Sequence, residues 1–331
     1  MPHLVRRFFV LGLLAAAACA GTPACAQDAA LQIKSSSLPF KIDEPQATTV
    51  GNLKWRGGIS MTANAKNFGG WSDLHVAPDG KTLISISDEG SWFTAGIDYD
   101  AAGNLVGLTG RAIGLLRGLD GKPLPDKAWA DSEGMAPMPD GSWIVSFERH
   151  HRIWRYPTLD ATPTAIEPPA DFEQQPNNGG VEALVALKDG SIIAISEEMT
   201  TRAGANVGWI GRPAPGGRYD WSHFAYTSIP DFYPTAIRQL PDGDFVVIER
   251  AYDKLRGVRC RIMRFPASQL KPDGIVQAEE LARLTSPYAV DNLEGLSVTI
   301  GARGETLLWI ISDDNFNPLQ KNILLLFELE K

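Results

Sequence analysis

Carboxylates recur in this sequence at a fixed distance across short turns. Asp73 and Asp88 are 15 residues apart, as are Glu133 and Glu148, and Glu182 and Glu197. Glu294 and Asp313 are 19 apart across a longer turn, and Glu249 lacks a first partner because Thr235 stands in its place. A hairpin that turns midway brings the residues flanking its strands side by side, about 5 Å apart at Cβ. Gathering like charges in this way is costly unless a cation, arginines or raised pKa values neutralise them. Hard divalent cations, above all Ca2+, take carboxylate and carbonyl oxygens in flexible numbers. Arg149 and Arg250 each directly follow an acid, in FER and IER, and are the other available partners. His150, next to Glu148 in ERHHR, could exchange protons or bind metal. The chemistry these types suggest is metal-assisted hydrolysis. Metal ligands are expected among Asp73, Asp88, Glu133, Glu182, Glu197, Glu294 and Asp313, with Glu148, Glu249, Arg149, Arg250 and His150 as the catalytic set. Asn292, Asp314 and Asn315 add oxygen donors nearby.

The elements that carry these acids repeat. WSDLHVAPDGKTLISISDEG, DSEGMAPMPDGSWIVSFERH, GVEALVALKDGSIIAISEEM, FYPTAIRQLPDGDFVVIERA and NLEGLSVTIGARGETLLWIISDDN are five versions of one hairpin. Each has a short strand, a tight turn and a second strand rich in Ile, Val, Leu, Phe or Trp. The turn glycines Gly80, Gly141, Gly190, Gly243 and Gly304 are separated by 61, 49, 53 and 61 residues. A further strand follows each hairpin, and an outer extended stretch follows four of them. Four antiparallel strands repeated at this interval predict an all-β fold, a β-propeller of five four-stranded blades. Six blades remain open, since a degenerate unit could hide in residues 30–70 or 103–130. The last copy has only three strands, and residues 48–62 are expected to supply the fourth, closing the ring and removing an open sheet edge. In a propeller the same end of every blade opens on one mouth, so the carboxylates are expected to converge there.

Residues 1–26 look like an export signal. Arg6 and Arg7 precede the apolar run FFVLGLLAAAACA, and Ala24-Cys25-Ala26 fits a small-x-small cleavage site. RRFFVL also resembles a twin-arginine signal. A periplasmic or secreted location is expected, with 27–47 an N-terminal extension and 48–331 a single propeller domain. Losing both arginines moves the net charge from -8 to about -10 (-8 minus 2), which argues against nucleic acid and anionic membranes as partners. Only Cys260 would remain, so a monomer must rely on its packed core rather than on a disulfide. No membrane span is expected after signal removal.

Other patterns carry less. No G-x-S-x-G elbow is present. His75, His223 and Cys260 lie in strand-like stretches and suit structural roles, and Trp71, Trp143, Trp154 and Trp309 recur at repeat positions suited to packing between blades. Taken in order, GGWSDLHVAPDG with SDEG, DSEGMA, SFERH, GVEAL, PTAI, PDGDFVVIERAY, NLEGLSV and SDDNFNPLQKNILLLFEL resemble the phytase-like family of exported bacterial proteins, known as "esterase-like activity of phytase". The likeness runs from about Gly57 to Leu329. It implies a β-propeller and a hydrolase acting on phosphate or other esters, and it carries over no catalytic residue. The expectation is therefore a periplasmic, metal-dependent ester or phosphoester hydrolase for a small anionic substrate. A non-catalytic ligand-binding propeller and a propeller-type lactonase are the alternatives.

Overall fold

A computed structural model describes residues 30–330. The expected signal segment, 1–26, lies outside them. Five sheets stand around one axis. Their innermost strands, Trp71–Val76, Ser132–Pro137, Val181–Ala186, Tyr233–Gln239 and Asn292–Ile300, each touch the next, and the last touches the first. The chain forms a five-bladed propeller. Blade 1 continues outward through Thr82–Ser87, Ser91–Tyr99 and Leu105–Leu115, and blade 2 through Trp143–Phe147, Arg152–Tyr156 and Thr164–Ile166. Blade 3 adds Ile192–Thr200, Asn206–Pro213 and Tyr219–Thr227, with Ile275–Gln277 parallel to its edge. Blade 4 adds Phe245–Asp253, Gly257–Phe265 and Glu279–Thr285.

Blade 5 is made from both ends of the propeller sequence. Thr306–Asp313 and Asn322–Leu329 follow its inner strand, and Leu53–Ala63 pairs with Asn322–Leu329 from Met61 opposite Asn322 to Leu53 opposite Leu329. The fourth strand expected near 48–62 is thus in place. Ile33–Ser37 adds one strand further out. Neither stretch that could have hidden a sixth blade contains one. Residues 103–130 supply the outer strand of blade 1 and a single helical turn, Lys127–Ala130, while 30–70 supplies the closing strands.

The strands are apolar on both faces because each blade is covered on both sides. Five separate apolar clusters fill the five blade boundaries. Trp71, Trp209 and Trp309 are fully buried in them, Trp154 is buried and Trp143 packs half-buried at their margin. Full burial of each such ring removes apolar surface worth about 25 cal/mol per Å2. Among the described residues no helix is long and apolar enough to cross a membrane.

The axis itself is polar. Asp73 of blade 1, 1% exposed, receives both of its oxygens' contacts from Arg238 Nη2 of blade 4, at 2.7 and 2.6 Å. The same carboxylate accepts from the amides of Leu74 at 2.8 Å, Met135 at 2.8 Å and Leu296 at 3.3 Å. Arg238 donates in turn to the carbonyls of Leu184 at 2.9 Å and Met135 at 3.1 Å. One ion pair therefore bonds to the inner strand of all five blades. Nearby, burial and Arg238 hold the His75 ring down to about 4, so it is neutral and serves packing. Replacing Arg238 by Met leaves the Asp73 carboxylate buried without its counter-charge, and a loss of about 3–5 kcal/mol is expected in the urea-unfolding free energy. A loss under about 1 kcal/mol would mean that the pair does not hold the ring.

Candidate functional site

Each inner strand slips register near its start. The shift falls between Trp71 and Asp73, Ser132 and Met135, Val181 and Ala183, Pro234 and Ala236, and Leu293 and Gly295. A β-bulge of this kind leaves the extra residue unpaired and re-aims its side chain. The extra residues are Ser72, Glu133 with Gly134, Glu182, Thr235 and Glu294. All of these positions except Gly134 and Thr235 face one cavity at the propeller mouth. The second strands deliver Asp88, Glu148, Glu197, Arg250 and Asp313 to the same place.

The cavity measures about 900 Å3. Nine carboxylates line it, from Asp88, Asp131, Glu133, Glu148, Glu182, Glu197, Glu198, Glu294 and Asp313, against three cations, Lys127, Arg149 and Arg250. Lys127 Nζ lies 2.6 Å from both Asp88 Oδ2 and Asp131 Oδ1, and Arg149 Nε donates to Asp131 Oδ2 at 2.5 Å. Arg250 bridges Glu197 Oε1 at 3.1 Å and Glu294 Oε1 at 3.0 Å. Glu148 Oε1 accepts from the Gly180 amide at 2.5 Å. A side chain at Gly180 would bring its Cβ to 2.8 Å from His151 Nδ1, so glycine is needed for that approach. Gly70, at φ +66°, likewise makes room for Asp88, whose Oδ1 would lie 2.1 Å from a Cβ there. Arg149 is itself left-handed at φ 57°, a conformation that a non-glycine residue keeps only when its surroundings impose it.

These cations do not satisfy the site. Among the described residues, Asp88 Oδ1, Glu182 Oε2 and Glu294 Oε2 are buried without a cation or amide donor, and Glu182 lies close enough to Glu197 and Glu294 to share a proton with them. Two sets of carboxylate oxygens, from Asp131, Glu133 and Glu148 and from Glu148, Glu182 and Glu197, each lie within 4.8 Å of one another. They share Glu148. Burial, reinforced by neighbouring carboxylates, drives Glu133 and Glu182 well above the usual carboxylate range. Burial pushes Glu148 up to about 8 and Glu294 to about 7, against the opposing pull of the Gly180 amide and of Arg250 respectively. Asp313 is driven well above its ordinary value by burial and by Asp88. Close, oxygen-only, under-partnered ligands of this sort suit a hard divalent cation, and these acidic residues could hold one.

Of the twelve expected site residues, nine line the mouth and three do not. Asp88, Glu133, Glu148, Glu182, Glu197, Glu294 and Asp313 line the mouth, with Arg149 and Arg250. Asp73 does not. It lies one residue past the bulge, on the axis, with its oxygens bound to Arg238 and backbone amides, and offers nothing to a metal. Glu249 also misses the cavity. Fully buried on the other face of blade 4, it accepts from Tyr226 Oη at 2.9 Å, Ser228 Oγ at 3.2 Å and Arg261 Nη1 at 2.7 Å. His150 is exposed and stacked on Trp129, ring centres 4.1 Å apart, rather than in the cavity. Two residues absent from the expected set complete it. Asp131 belongs to a carboxylate triad and could have been found from its i, i+2 spacing to Glu133. Lys127 comes from the non-repeating insert, where no pattern marks it.

With fold and site in view, relationships can be stated. Residues 66–316 match the family described as "Phytase-like: Esterase-like activity of phytase". The chain belongs to this family. No curated protein matches this phytase-like chain. Among solved structures it is similar to a protein of unknown function from Dyadobacter fermentans DSM 18053, at 11% identity, 86% of each chain and a TM-score of 0.45. It is also similar to an endo-arabinase from Bacteroides thetaiotaomicron VPI-5482, at 11% identity, 85% of this chain, 96% of that one and a TM-score of 0.47.

The raised carboxylates fix the sign of a pH effect. Glu148 and Glu294 bind protons more tightly folded than unfolded, so without a cation the phytase-like propeller loses stability as pH rises from about 4.5 through about 7 to 8. The melting temperature of chelated protein is expected to fall between pH 5 and pH 8, and added Ca2+ to raise it more at pH 8. A calcium shift equal at both pH values, or larger at pH 5, would count against cation binding by these groups.

Proposed function

We infer that this phytase-like propeller is a metal-dependent hydrolase of ester or phosphoester bonds. The observation that carries the reading is the pair of carboxylate triads sharing Glu148, built from blades 2 and 3 and backed by buried oxygens on Glu182, Glu294 and Asp88 that have no cation or amide donor among the described residues. Asp131, Glu133, Glu148, Glu182 and Glu197 would hold one or two divalent cations, with Ca2+ the ion best suited to the all-oxygen set. When bound, such an ion supplies Lewis-acid polarisation of the substrate's ester or phosphoryl oxygen. Arg149 and Arg250 present guanidinium groups to the anionic part of the substrate and to charge that develops on it. Lys127 keeps Asp88 and Asp131 oriented. Glu294 lies outside both triads and is positioned through Oε1 by Arg250.

The substrate proposed is a small anionic ester, not nucleic acid, since the net charge of -8 repels a polyanionic partner. The amino-terminal sequence supports export and a periplasmic or secreted location, and the protein is proposed to act as a monomer.

Glu148→Gln tests the reading, because one substitution weakens both triads. On aryl phosphates and short-chain esters, chelator-sensitive turnover is expected in the native protein and a fall of about 100-fold or more in the variant. Turnover indifferent to chelator removes the metal from the reaction. Cation-dependent ligand binding with no turnover on any ester would make the protein a binding propeller instead.

A further inference from the structure

The rim of the mouth is divided. The cations Lys127 and Arg149 stand at blade 2 and the segment leading into it, and the carboxylate of Glu198 is exposed at blade 3. The part formed by blades 4 and 5, the two that do not adjoin blade 2, sets apolar groups beside the amides of Asn315, Asn317 and Gln320. Tyr233, Tyr252, Val258 and Leu319 line the cavity there. Tyr252 is 61% exposed, Leu319 90% and Tyr233 37%. These are not scattered positions. Tyr252 is two residues beyond Arg250 on the same face of its strand and pairs with Val258, while Tyr233 pairs with Arg250 itself. An apolar shelf therefore begins at the guanidinium that bridges Glu197 and Glu294. Exposed aromatic and aliphatic groups grouped beside a polar cleft mark a binding surface.

The charge of the cleft limits what can accompany them. Three cations against nine carboxylates leave a formal charge of -6. Filling both triads with doubly charged ions brings this to -2 (-6 plus 4). A ligand with many phosphates would still meet repulsion, whereas one phosphate could be matched by a cation and Arg149.

We propose that the mouth selects phosphate monoesters with an apolar arm, the phosphate in the carboxylate cleft and the arm on Tyr233, Tyr252, Val258 and Leu319. The cleavage of such a substrate rests on the hydrolase reading above; the placement of its arm does not. Two paired measurements separate them. Calorimetric binding of hexylphosphonate and methylphosphonate to the calcium-loaded protein reports the shelf without chemistry. Turnover of hexyl and methyl phosphate, whose alcohols are equally poor leaving groups, adds the reaction.

Hexylphosphonate is expected to bind about tenfold more tightly than methylphosphonate, an open shelf covering only part of the chain. In the double variant Tyr252→Ser, Leu319→Ser the ratio is expected to fall below about twofold. Both positions are exposed, so the variant keeps its core. For turnover, the same preference is expected in KM, not in kcat. Equal affinities, a preference that survives in the variant, no binding of hexylphosphonate at millimolar concentration, or inositol hexakisphosphate binding more tightly than hexylphosphonate would each overturn the proposal. Tight, variant-sensitive binding of hexylphosphonate with no hydrolysis of hexyl phosphate keeps the shelf and discards the hydrolase.

Discussion

The Asp73–Arg238 pair sits where five inner strands meet, and the ring is organised about it. Inner strands of a propeller run side by side without a common ladder of hydrogen bonds, so their polar backbone edges need partners on the axis. Asp73 accepts from blades 1, 2 and 5, and Arg238 donates to blades 2 and 3 from its own place in blade 4. A lone buried charge would be prohibitive, but this one is matched and almost fully hydrogen-bonded.

Bulges turn that frame into a site. A regular strand would alternate its side chains between the two covered faces of a blade, leaving none directed to the axis end. One extra residue in each inner strand frees Ser72, Glu133, Glu182, Thr235 or Glu294 from pairing at the rim. Because the device recurs in every blade, residue type alone decides what each sector contributes. Blade 4 offers Thr235 and Arg250 where its neighbours offer acids, and the resulting guanidinium keeps Glu197 and Glu294 from simple repulsion.

Much of this was legible beforehand. Asp-Gly turns and apolar second strands announced five blades, and the incomplete last copy announced its closure by the segment near residue 53. The acids were identified as a group but two were misassigned, for a reason visible in the numbering. Counted to its turn glycine, Asp73 is seven residues away, whereas Glu133 and Glu182 are eight from theirs, so Ser72 holds the matching place. Likewise Arg250 follows Gly243 by seven, as Glu148 follows Gly141 and Glu197 follows Gly190, while Glu249 follows by six. Spacing between the acids hid a difference that spacing from the turn reveals. Arg238 had no such sign, since a buried arginine on an inner strand is defined by partners from three other blades. His150 was drawn to the site by proximity in sequence to Glu148, but the left-handed turn at Arg149 sends it outward to Trp129.

The way blade 5 is assembled bears on how the molecule comes into being. Met61 and Asn322 are 261 positions apart along the chain (322 minus 61) yet lie opposite each other in one ladder. Contacts so distant in sequence incur a large loop-closure entropy and form late. Until they do, Glu294 and Asp313 have no fixed frame, so a nascent polypeptide carries only a fragment of the acidic cup. Completion of the circle therefore adds Glu294 and Asp313 to a cup whose two carboxylate triads lie on blades 2 and 3.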